Sequence, residues 1–125
     1  GKADGNFFAP TVLTDVPVSA QVCSNEAFAP LVVAFPFREF GDAIAAVNDS
    51  FFGLQTGVFT NDLANAWQGF GELEVGGVIV NDIPTYRIDH MPYGGVKDSG
   101  LGREGLRWAI EDMTELRIMV LAQPG

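Results

Sequence analysis

Only one cysteine, Cys23, and one histidine, His90, occur among the 125 residues. A disulfide within the chain is therefore excluded, and neither a cysteine-based nor a histidine-rich metal site is supported. Basic residues are few: 7 Lys+Arg stand against 16 Asp+Glu, a formal net charge of −9. A surface of that sign repels phosphate backbones and anionic bilayers, which sets aside nucleic acid and membrane as partners. It does not exclude a small anion, because one local Arg can still hold one. No apolar run approaches the roughly 20 residues that span a bilayer. The opening Gly1-Lys2-Ala3-Asp4-Gly5-Asn6 lacks the pattern of a secretory signal. A reducing, soluble compartment is the expectation, the cytoplasm by default.

Repeats, low-complexity stretches and linkers are also missing, so residues 1–125 read as one domain or one lobe of a larger domain. The chain opens on Gly rather than Met and runs at once into Phe7-Phe8-Ala9-Pro10-Thr11-Val12-Leu13. That reads as the middle of a longer protein, or as a processed or engineered start.

What is present is ample apolar material, 47% of the residues, with fifteen glycines and seven prolines for tight connections. Leu31-Val32-Val33-Ala34-Phe35 is a continuous apolar run of strand length between Pro30 and Pro36. Phe40, Ala43, Ile44 and Val47 recur at helical spacing, and Asn48-Asp49-Ser50 closes that helix with turn chemistry. Gly57-Val58-Phe59 reads as a second strand. Thr60-Asn61-Asp62 then offers N-cap candidates for a helix carrying Leu63, Ala66, Trp67 and Phe70. Gly76-Gly77 stops it, and Val78-Ile79-Val80 is a third strand. A long loop from Asp82 to Gly102 leads to a helix marked by Leu106, Ala109, Ile110 and Met113, and then to a strand over Leu116–Leu121. This alternation predicts an α/β fold, a mostly parallel twisted sheet with flanking helices. Ligands in such sheets sit beyond the carboxyl ends of the strands. The long loop after Val80, with Arg87, Asp89, His90 and Tyr93, is thus the informative place.

Several bland readings compete with chemistry. Gly94 to Gly102 is not a Walker-type phosphate loop, since Lys97 follows no glycine and precedes no Ser or Thr. Gly100, Gly102 and Gly105 have dinucleotide-fingerprint spacing but follow a loop rather than a strand, which favours a turn role. Cys23 has no sequence neighbour that would activate a thiol and reads as passive. His90 reads as a hydrogen bonder at a rim rather than a general base. Glu26 alone reads as a solvated or capping carboxylate. Glu111 and Asp112 are adjacent on a helix and so do not face each other.

Taken in order, the segments resemble the C-terminal part of the aldehyde dehydrogenase catalytic domain. Gly5 to Leu13 resembles G-x-F-x-x-P-T-V-L. Glu26-Ala27-Phe28-Ala29-Pro30 is similar to E-x-F-G-P. Asn48 through Thr60 follows N-x-x-x-x-G-L-x-x-x-V-F-T. Val80-Asn81, then Pro92 to Gly100, resembles V-N followed by P-[FY]-G-G-x-K-x-S-G, and Thr114-Glu115 precedes the last strand. The likeness covers Gly5 to about Leu121.

The resemblance implies that Glu26 accepts hydrogen bonds from the nicotinamide ribose of NAD or NADP, and that Phe28 packs near the nicotinamide. Ala29 stands where the family prefers Gly, and should require a negative φ. The P-[FY]-G-G likeness makes Tyr93 a wall of the aldehyde tunnel, with Arg87 and His90 at its mouth. Arg87 suits an anionic tail on the aldehyde; the competing reading is that it merely pairs with Asp82 or Asp89. The family's nucleophilic Cys and its base lie in G-Q-x-C and E-L-G-G settings, and neither pattern occurs here, so no catalytic residue is assigned. The implied protein is an NAD(P)-dependent aldehyde dehydrogenase of which this stretch alone is inactive. In the family the strand after Thr-Glu pairs with a neighbouring subunit, so self-association through Leu116–Leu121 is expected. The alternative is a naturally short, non-catalytic oligomerisation or partner-binding module.

Overall fold

A computed structural model describes residues 1–123 and 125. The chain divides into two compact units, Gly1–Phe51 and Phe52–Gly125, although no linker marks the division.

The first unit opens with a hairpin of β1 (Ala3–Asp4) and β2 (Phe7–Phe8), turning at Gly5 with φ 57°. Only glycine takes that left-handed conformation without cost. β3 (Thr11–Leu13) pairs in parallel with β4 (Leu31–Val33), Thr11 opposite Leu31. Parallel partners need a crossover of a dozen or more residues. Here that crossover carries a single helical turn, α1 (Gln21–Ser24). α2 (Phe40–Asn48) follows where the apolar spacing predicts it. Its start is fixed by a capping box: Asp42 accepts from the Glu39 backbone N–H, while the Glu39 side chain accepts from the third helical N–H. Ile44 is the buried apolar residue of this helix.

The second unit is built on a strand–helix–strand element. β5 (Phe52–Gly53) leads into β6 (Gln55–Val58), α3 (Leu63–Glu72) and β7 (Gly77–Val80). β6 and β7 are parallel, Gln55 opposite Gly77 and Val58 opposite Val80. Among the three candidate caps, Asp62 is the one used: its Oδ1 accepts from the Ala64 N–H at 2.8 Å. β8 (Val96–Lys97) returns antiparallel to β5, and α4 (Leu106–Asp112) closes the unit.

The mixed α/β class holds, but among the described residues the strands form four two-stranded pieces rather than one mostly parallel sheet: two parallel, two antiparallel. The antiparallel pairs come from a hairpin and from the loop folding back, neither of which leaves a periodic apolar signal. The strand expected over Leu116–Leu121 is not formed. A strand requires a neighbouring backbone, and among the described residues none lies paired with it. Leu116, Ile118, Met119, Val120 and Leu121 are 80–105% exposed. Among the described residues the buried large apolar side chains are Ile44 and Val58, while Phe7, Phe28, Phe51, Trp67 and Leu106 lie on the surface. The apolar content that looked sufficient for a core therefore largely faces outward in these residues.

Candidate functional site

The long loop is anchored where it leaves β7. Asn81 sits at φ 61°, a conformation asparagine tolerates better than most residues. Its N–H donates to the Val58 carbonyl at 2.8 Å and its Oδ1 accepts from the Thr60 N–H at 2.8 Å. One residue thus ties the carboxyl ends of β6 and β7 together. The loop then passes close over the strands. A Cβ on Gly57 would lie 2.6 Å from the Asp82 carbonyl oxygen, and one on Gly76 would collide with the Gly94 carbonyl. Farther on, Ser99 Oγ accepts from the Gly53 N–H at 2.9 Å. The loop is therefore seated, although it has little regular structure.

Tyr93 and Glu104 close it. Their backbones form an antiparallel bridge, Tyr93 N–H to Glu104 carbonyl at 3.1 Å and Glu104 N–H to Tyr93 carbonyl at 2.6 Å. Arg103 Nη1 donates to the Gly95 carbonyl at 2.9 Å and to the Gly102 carbonyl at 2.8 Å. Gly100, Gly102 and Gly105 all take positive φ, which fits the turn role over a phosphate cradle. Arg103 and Glu104 escaped the sequence reading. Within a glycine-rich stretch nothing separates a bracing charge from a solvated one.

The bridge brings three side chains together. Arg87 Nη2 lies 2.8 Å from Glu104 Oε2, and the guanidinium carbon lies 4.8 Å from the centroid of the Tyr93 ring. Arg87's carboxylate partner is thus neither Asp82 nor Asp89. Asp82 Oδ1 instead accepts from the Ile83 N–H at 2.8 Å. The ion pair is half exposed, at 52% for Arg87 and 66% for Glu104. A pair that open to water contributes about 0–1 kcal/mol, and the ring contact about 0.5–1 kcal/mol. They orient the guanidinium more than they stabilise the fold. Arg87 keeps most of its five N–H donors. His90 is exposed on the same loop and has no hydrogen bond among the described residues.

In the first unit, Glu26 and Phe28 follow α1 on a tightly folded turn. The Ala29 N–H donates to the Ala27 carbonyl at 2.9 Å, and the Leu31 N–H to the Ala29 carbonyl at 2.8 Å. Two successive three-residue turns of this kind throw Phe28 outward, 92% exposed. Ala29 is not among the positive-φ residues, so alanine is accommodated where the motif prefers glycine. Glu26 is exposed and has no partner among the described residues. Cys23 Sγ lies 3.6 Å from the Pro17 carbonyl, a weak contact that gives the thiol no activating base.

The family model described as "Aldehyde dehydrogenase family" matches residues 1–119. The chain belongs to the aldehyde dehydrogenase family. The five ordered motifs therefore carried a true resemblance. A 3-sulfolactaldehyde dehydrogenase of Priestia aryabhattai is 55% identical over 121 residues, which are 97% of this chain and 25% of the relative. Aldehyde dehydrogenase 21 from Physcomitrella patens, solved with its reaction product succinate, superposes with a TM-score of 0.87 at 46% identity, covering 91% of this chain and 24% of that one. A glyceraldehyde-3-phosphate dehydrogenase from Methanocaldococcus jannaschii, solved with NADP, gives 0.82 at 41% identity over 90% of this chain and 24% of that one. The chain thus spans about a quarter of the length of the aldehyde dehydrogenases it matches.

Proposed function

We propose that the protein containing this stretch is an NAD(P)-dependent aldehyde dehydrogenase that oxidises a small aldehyde with an anionic tail to the carboxylic acid. The observation that carries the reading is Arg87, a half-exposed guanidinium held over Tyr93 on a seated loop. The similar proteins support it: their names point to a sulfonate, a carboxylate and a phosphate on the compound handled. A planar guanidinium takes any of these in a bidentate or forked geometry. His90, exposed three residues on, adds a second donor at the tunnel mouth, and Tyr93 forms the wall.

The cofactor, when bound, supplies the hydride acceptor. Glu26 and Phe28 fit such a group, one an acceptor with no partner among the described residues and the other an exposed ring. Glu26 would accept the ribose hydroxyls, and Phe28 would lie near the nicotinamide. A fixed ribose orients the ring for hydride transfer, which is where such contacts raise rate. Neither G-Q-x-C nor E-L-G-G occurs in these 125 residues, so the nucleophile and base belong to the rest of the enzyme. We therefore expect no steady NADH formation when these 125 residues alone are mixed with short aldehydes and NAD+.

Self-association through Leu116–Leu121 belongs to the same proposal. An exposed apolar segment of this length gains most by adding to a neighbouring sheet edge. Light scattering that reported a strict monomer would count against it.

The deciding experiment is Arg87→Ala in the full-length enzyme. Charge-assisted hydrogen bonds contribute about 1.5–3 kcal/mol, so KM for a sulfonated or carboxylated aldehyde should rise roughly 10- to 100-fold. The KM of a neutral aldehyde of similar size should barely move. An equal rise for both sinks the anionic-tail reading. The intact mass in the source cells separates the enzyme from a naturally short binding module: a mass near that of 125 residues would favour the module.

A further inference from the structure

We infer that Gln55 is a positioning residue for substrate specificity, one that sets the place of Arg87 from the strand beneath the loop. The inference rests on reading Arg87 as the anchor of the substrate's tail. β6 presents Gln55 and Gly57 on one face, because side chains two apart on a strand point the same way. The loop that leaves β7 turns back along that face. Over Gly57 pass the Asp82 carbonyl, 2.6 Å from where a Cβ would stand, and the Pro84 ring, 3.4 Å from it. Over Gln55 passes the Tyr86 carbonyl, which accepts from Gln55 Nε2 at 3.2 Å. The loop is thus laid on β6 from its carboxyl end toward its amino end, and the Gln55 tie falls on the residue just before Arg87. Gln55 can lie this way because its partner in the parallel ladder is Gly77. A Cβ there would stand 3.2 Å from Gln55 Cγ and 3.3 Å from Nε2, so glycine leaves the slot in which the amide sits. Arg87 is then held at both ends, its backbone through Tyr86 and its guanidinium over the Tyr93 ring at 4.8 Å. With the backbone end released, a binding tail must itself order the cation, and that ordering costs affinity.

Gln55→Met tests this in the full-length enzyme, since methionine fills the same slot and cannot donate. KM for a sulfonated or carboxylated aldehyde should rise roughly two- to ten-fold, the span of one net hydrogen bond. The kcat and the KM of a neutral aldehyde of similar size should stay as they are. Melting temperature verifies that the variant is folded. Should it lose its fold, Gly77→Ala gives the same reading: φ at Gly77 is not positive, so the backbone accepts alanine while its Cβ crowds the Gln55 amide. In an Arg87→Ala background, Gln55→Met should add no further loss toward the anionic aldehyde, a non-additivity that general loosening of the fold would not produce. If Arg87→Ala selectively weakens the anionic aldehyde but the Gln55 variant changes neither KM, or raises both equally, the positioning role is overturned and the anchor stands. If Arg87→Ala has no charge-selective effect, both are overturned.

Discussion

The two candidate contact regions are held in opposite ways. The segment from Asn81 to Gly105 is long and irregular, yet it is pinned by Asn81 at its start, by the Tyr93–Glu104 bridge that joins its middle to its end, and by Ser99 between those two. The turn carrying Glu26 and Phe28 is short; besides its own backbone hydrogen bonds it is tied by the Thr11 N–H donating to the Pro30 carbonyl at 2.9 Å, and neither the Glu26 nor the Phe28 side chain has a partner among the described residues. In the first region the Arg87 guanidinium is held by Glu104 and the Tyr93 ring. In the second the side chains wait in solvent. A substrate tail is small and gains most from a preset cation, whereas a dinucleotide brings enough contacts of its own to order two exposed side chains.

Substitutions can test that contrast on stability, beginning with the largest effect. Gly76→Ala drives a Cβ into the Gly94 carbonyl, and overpacking against backbone costs about 3 kcal/mol. Denaturant unfolding of the full-length enzyme should show it, and a loss below about 0.5 kcal/mol would mean the loop is not seated. Asn81→Ala forces alanine into a left-handed conformation and removes the acceptor for Thr60, together about 2 kcal/mol. Ser99→Ala leaves the part-buried Gly53 N–H without its acceptor, about 1 kcal/mol. Phe28→Ala should change stability by less than about 0.5 kcal/mol, because the ring is already in water. It should nonetheless raise KM for NAD(P)+ several-fold. A large stability loss at Phe28 would erase the contrast between the two regions.

Much of the fold was legible. α2 and α3 stand where the apolar spacing of Phe40–Val47 and Leu63–Phe70 places them, with Ile44 of the α2 stripe buried while Leu63, Trp67 and Phe70 of the α3 stripe lie exposed among the described residues. Asp62 was one of three equally good caps, and only the helix register selected it. The β5–β8 pairing was invisible, since two residues per strand carry no periodicity. At the candidate site the motif residues Arg87, His90 and Tyr93 could be picked out as one loop, but the partner of Arg87 could not.

The sequence by itself determined the family, the alternation of strands and helices, and the acidic balance. These are properties of local order and composition, which survive without knowing any contact. Only the tertiary structure decided that Arg87 pairs with Glu104, seventeen positions away, rather than with the nearer Asp82 or Asp89. That choice depends on the backbone bridge at Tyr93, which in turn depends on glycines letting the loop approach β6 and β7. Ion pairs form between groups that the backbone has already brought together, and proximity along the chain did not do so here.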